Sequence, residues 1–206
     1  MITILVGPNK TKFKAFKDHI CERSKFFEAA CAPGRWREGE EKTVPLPDVE
    51  PCVFKTYLHW TMTGQLLPEI HWDNGTTSAG QQQETHVEAY ILGDFLDDAK
   101  YRDHVIAQMI TKLAAWACVL PTSLIVRIWD ATLDGSPLRT LVLHRVMHRA
   151  NREYFRKMTN HQDIPREFFA ELSLLTMSHV APVSCKKSEE TLRELLFPGQ
   201  DNDKSK

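Results

Sequence analysis

A run of about eighteen apolar residues, the minimum for a membrane-spanning helix, occurs nowhere in this 206-residue chain. The opening MITILVGPNK has no charged stretch ahead of its short apolar run and no small-residue cleavage site behind it, so it does not read as a secretory signal. Five cysteines, Cys21, Cys31, Cys52, Cys118 and Cys185, form an odd set without a Cys-x-x-Cys pair. That set suits reduced thiols better than a disulfide framework, and the expected location is intracellular, in cytoplasm or nucleus. A dominant charge sign is lacking too. With 26 basic and 27 acidic side chains the formal charge is -1, so no global field points to nucleic acid or an anionic membrane. No internal repeat with a period of about 20 to 50 residues is visible.

What is present is 42% hydrophobic residues, enough for a substantial core in one domain, or one domain with a helical extension. Met1 to Val6 is rich in aliphatic residues and stops at Gly7-Pro8-Asn9, and TKFKAF follows; together they predict a β-hairpin. From Lys17 to Ala30, Ile20, Phe26, Phe27 and Ala30 recur at roughly helical intervals with Ser24 facing inward, which predicts a helix broken near Arg23-Ser24. KTVPLP reads as a short edge strand held open by Pro45 and Pro47. Asp48 then reads as the cap of a helix with Pro51 in its first turn and an apolar stripe of Val53, Phe54, Tyr57, Leu58 and Thr61.

His71 to His86 is polar, rich in Gly, Ser, Thr and Gln, and without apolar period, so it reads as a flexible surface loop. Helices are predicted over Val87 to Phe95 and Val105 to Trp116, after Pro121 with Thr122 or Ser123 as cap, from Ser136-Pro137, and after Ile164-Pro165 with Phe168, Phe169, Leu172 and Leu175 as core face. The tail past Phe197 carries charge and no hydrophobe, and is expected to be disordered.

Chemistry finds little purchase. His144 and His148 are four apart, which can set two imidazoles on one helical face, but Arg145 stands where a zinc protease motif has glutamate and no third ligand accompanies them. None of the cysteines sits in a Gly-flanked elbow or beside a His-Asp arrangement. Gly7 to Thr11 lacks the second glycine and the length of a phosphate loop, so a hairpin turn is the reading there. Trp36 stands apart from the core-patterned aromatics: it lies between Arg35 and Arg37 in a polar loop beyond a helix end, open either to packing or to service as a binding anchor.

In this order the landmarks resemble the BTB/POZ domain family. FKAFKDHICERSKFFEA is similar to that family's apolar residue, His-Lys pair and Ser-x-x-Phe, filled here by Lys17, Ile20, Ser24 and Phe27, with Phe16 where histidine is usual. Glu38 sits at the acidic position after the helix, Val44 and Leu46 at the short strand, and DVEPCVFKTYLHWTMTG at the Asp-x-x-Pro, Phe and Tyr-Thr-Gly positions, Met62 replacing tyrosine. VEAYILGDFLDDAKYRDHVIAQMI resembles the next helix pair, with Gly93 in place of alanine, and SPLRTLVLH resembles an element of fungal members.

The resemblance implies an α+β fold: a small sheet with surrounding helices over residues 1–116, a helical extension over 117–197 and a tail over 198–206. It implies a non-catalytic protein-protein interaction module, either a substrate adaptor of a cullin-RING ubiquitin ligase or an oligomerising scaffold or transcription-associated protein without a ligase role. An enzyme with a histidine-based site in the polar loop or near His144 is the rival from another class. No cofactor, metal or direct nucleic-acid partner is expected. In cullin-binding members a hydrophobic residue, any residue and a glutamate occupy the loop after the Ser-x-x-Phe helix, so Trp36, Glu38 and the helix side near Tyr57 are the expected partner-binding residues. Many members dimerise through a segment ahead of the first strand and a buried aspartate. This chain begins at about that point, so a monomer or weak dimer is the expectation.

Overall fold

β1 (Ile2–Val6) and β2 (Thr11–Ala15) form the predicted hairpin, antiparallel from Ile2↔Ala15 to Val6↔Thr11. The computed structural model describes residues 1–32, 43–66, 79–112 and 120–179. Gly7 turns the hairpin at φ +73° and donates its N–H to the Leu46 carbonyl at 2.9 Å. A side chain there would adopt a strained backbone and crowd the Pro51 ring at 3.3 Å. β3 (Thr43–Leu46) lies parallel to β1, so the sheet order is β2-β1-β3 and β3 is an edge strand. An edge accommodates Pro45, whose missing N–H takes no ladder bond from the sheet.

Two short helices, α1 (Lys17–Arg23) and α2 (Lys25–Ala30), divide at Ser24, where the helical pattern breaks. Extended at φ -115°, Ser24 ends α1 and caps α2 by accepting the Phe27 N–H. α3 (Pro51–Thr63) starts on Pro51 and ends on Gly64 in the left-handed conformation. Its N-cap is Glu50 without a side-chain bond, not Asp48, which lies in the preceding turn. Pro51 needs no capping partner because it has no N–H to satisfy.

α4 (Ala79–Phe95) begins eight residues before the predicted Val87, so the second half of the predicted 71–86 loop is helical. Gln83, Thr85 and His86 are buried in it. Polar side chains carried that face inward, which is why no apolar period announced it. The first part of the loop lies outside the described residues. α5 (Ala99–Lys112) starts ahead of the predicted Val105, opened by Asp98 accepting the Tyr101 N–H at 2.9 Å; the predicted end at Trp116 lies outside the described residues.

α6 (Thr122–Ala131), α7 (Pro137–Arg149), α8 (Arg152–Thr159) and α9 (Arg166–His179) follow. Pro121, not Thr122 or Ser123, holds the N-cap of α6. The short α8 was not foreseen from the sequence; it packs Tyr154, Phe155 and buried Met158 against the core. Buried residues form one continuous core from Ile2 in the sheet to Leu172 in α9, so the sheet and the later helices share an interior. The expected boundary at 116/117 and the tail over 198–206 lie outside the described residues. No described helix is long and apolar enough to cross a membrane.

Candidate protein-binding surface

Trp36 and Glu38 lie outside the described residues, but the support from which their segment departs is defined. α2 closes at Cys31, whose carbonyl accepts the Lys17 ammonium at 3.0 Å. Lysine at a helix C-terminus satisfies an orphan carbonyl and opposes the negative end of the helix dipole. On the other side, the Ser24 hydroxyl donates to the Leu96 carbonyl at 2.6 Å, which ties the α1–α2 break to the end of α4.

Tyr57 does not belong to an exposed face. Its side chain is 0% exposed, its hydroxyl donates to Asp98 at 3.3 Å, and its ring meets Tyr101 edge-on at 5.0 Å. Burial first, and then the nearby Asp98 charge, push the phenol pKa far above its usual value. The helical stripe containing Phe54 and Tyr57 turns inward to Phe27, with ring centroids 6.5 Å apart from Phe27 to Phe54 and 6.1 Å from Phe54 to Tyr57. The outer side of α3 is instead carried by residues such as Lys55 and Met62, the latter 62% exposed.

A half-open cleft of about 240 Å³ lies between the turn joining β3 to α3, helix α4, and Arg127 of α6. Val53, Ile91 and Leu92 make its apolar floor, and half-exposed Phe95 stands at one wall against Phe26 at 4.9 Å. At the rim Arg127 forms a two-pronged bond to Glu88, Nε to Oε1 at 2.8 Å and Nη2 to Oε2 at 3.0 Å. Asp48 and Glu50 complete the rim on the turn. Since a deletion or a longer turn there would move both, the cleft depends on the β3–α3 connection as much as on the helices.

No protein-family model matches the chain, and no curated protein matches it. Within α6 to α9, the buried Arg139 donates to Glu171 at 2.9 Å, to the carbonyls of Trp129 and Thr132, and to the Thr132 hydroxyl. Glu171 also accepts the Trp129 indole N–H at 3.0 Å. These bonds tie α6, α7 and α9 together, which gives the network a structural role.

His144 stacks with His148 at 6.1 Å and meets His179 of α9 edge-on at 5.5 Å. The third imidazole could not be foreseen from the spacing of the first two, since it comes from another helix. His179 Nδ1 is engaged by the Leu175 carbonyl at 2.9 Å, and no group of three ligating side chains suited to a metal occurs among the described residues. Cys21, Cys31 and Cys52 form no disulfide among the described residues. Burial and the neighbouring Cys31 push the Cys21 thiol up to about 12, so it is a poor nucleophile at neutral pH.

Proposed function

We propose that the chain is a non-catalytic interaction module of the BTB/POZ type, with an all-helical extension, acting as a substrate adaptor of a cullin-RING ubiquitin ligase. The observation that carries this reading is the convergence of its sequence landmarks. Ser24 divides and caps two helices, Phe27 and Phe54 meet in the core, Pro51 opens α3 and Gly64 closes it. Ser24, Phe27, Phe54, Pro51 and Gly64 thus each have a distinct structural task, and a small sheet with surrounding helices is compatible with that family. The absence of a described metal cluster or activated thiol is not the support; the ordered landmarks are.

On this reading Trp36 supplies a large rigid apolar anchor and Glu38 accepts charge-assisted hydrogen bonds that fix orientation. Tyr57, being buried, takes no direct part, and its place on the partner-facing side of α3 passes to exposed residues such as Lys55 and Met62. Losing an anchor of this kind costs more than about 2 kcal/mol, about thirtyfold in affinity. The test is a titration of a cullin N-terminal region with the wild-type chain, Trp36→Ala and Glu38→Ala, each variant first shown to be folded. A wild type that binds no cullin removes the adaptor reading. Unchanged affinity in both variants keeps the partner but discards the surface.

A further inference from the structure

We infer that the cleft between the β3–α3 turn and α4 is a docking site for a basic-hydrophobic peptide segment of a partner protein. The inference rests on the interaction-module reading and gives it a second candidate site, built from residues other than Trp36 and Glu38.

The occupant follows from size and charge. A cleft of about 240 Å³ falls below the range of about 300 to 1,000 Å³ usual for a cofactor or small-molecule pocket. It suits one or two inserted side chains, and its floor of Val53, Ile91 and Leu92 calls for apolar ones. The rim holds three carboxylates, Asp48, Glu50 and Glu88, against the single guanidinium of Arg127. Arg127 is committed to Glu88 by both prongs of its fork. Asp48 and Glu50 are exposed and make no ion pair among the described residues.

Two carboxylates without an ion pair among the described residues, set beside an apolar floor, repel nucleic-acid phosphates and anionic lipid headgroups. The same charges attract lysine or arginine placed next to an inserted leucine or aromatic residue. Such complementarity sets orientation and partner choice more than raw affinity. The Arg127–Glu88 pair spans α4 and α6, so it also fixes one lip of the cleft to the later helices.

The experiment is selection of a random peptide library on the full chain, followed by anisotropy titrations of the most enriched synthetic peptide. The expected consensus is an apolar residue with lysine or arginine within two positions. Affinity in the double variant Asp48→Asn/Glu50→Gln should fall about threefold or more, as for the loss of two exposed ion pairs. Both positions are exposed, and an unchanged thermal melt will show that the variant is folded. Failure to enrich any peptide, an acidic or uncharged consensus, or a smaller loss in the double variant overturns the proposal. So does self-association of the chain that the double variant abolishes, because it would assign the cleft to a second copy. A chain that binds a cullin through Trp36 and Glu38 yet enriches no cleft peptide would sink the docking site alone and leave the adaptor reading standing.

Discussion

The Ser24 hydroxyl donates to the Leu96 carbonyl at 2.6 Å while accepting the Phe27 N–H at 3.2 Å, so one buried side chain caps α2 and pins it to the end of α4. Ser24→Ala removes both bonds at once. Loss of the cap and of a buried hydrogen bond should together cost about 1 to 3 kcal/mol. Urea denaturation checks this, and a cost near zero would mean that the α1–α2 break is held by something else.

Phe27 and Phe54 are both fully buried and lie in one aromatic group with Phe13, whose ring meets Phe54 edge-on at 5.2 Å. Alanine at either position should cost about 3 to 5 kcal/mol, the usual loss for a buried phenylalanine. The two sites touch, so the double variant should lose less than the sum of the singles. Chemical denaturation of all three proteins measures both effects.

Gly93 sits inside α4, where helix propensity alone says that alanine should stabilise by about 1 kcal/mol. The structure reverses the sign. A Cβ at Gly93 would lie 2.8 Å from the ring of buried Tyr101 and 3.0 Å from Arg102. Tyr101 is itself fixed against Tyr57 and Trp60 and has little room to yield. Gly93→Ala should therefore destabilise by about 1 to 3 kcal/mol, as overpacking does. A higher melting temperature in the variant would refute the close approach of α4 and α5.

His86 is buried on α4, with its Nδ1–H donating to the Gln82 carbonyl at 2.7 Å. Burial lowers its pKa below the ordinary 6.5, so the unfolded chain binds the proton more readily than the folded one. Stability from this group is thus complete above pH 6.5 and is lost as pH falls from there toward the lower folded value. The expected result is a stability loss on acidification that is smaller in His86→Gln than in the wild type. Denaturation midpoints taken on both sides of that pH compare the two, and equal losses would remove His86 as the cause.

Local sequence was sufficient at several positions where the physical signal was local, although it misplaced the caps of α3 and α6. Gly7 with a flanking aliphatic run specified the hairpin, Ser24 the helix break, Pro51 and Gly64 the ends of α3, and Ser136-Pro137 the start of α7. Backbone restriction and capping act within a few residues, so they can be read along the chain. Asn151 accepts the Tyr154 N–H at 2.8 Å and opens α8, whose Tyr154, Phe155 and Met158 lie on one face against the core; this local signal went unread.

Tertiary structure decided what depends on partners far away in sequence. Tyr57 belongs to the apolar stripe of its helix and was also expected near the partner face; packing on Phe54 and Tyr101 buries it, and Asp98, 41 residues later, receives its hydroxyl. Gln83, Thr85 and His86 look like loop residues, yet they line the inward face of α4. The parallel pairing of β3 with β1 and the acidic rim over an apolar floor likewise arise only when separate segments meet. Burial and charge juxtaposition are properties of neighbours in space, and a linear pattern holds them only where those neighbours are also near in sequence.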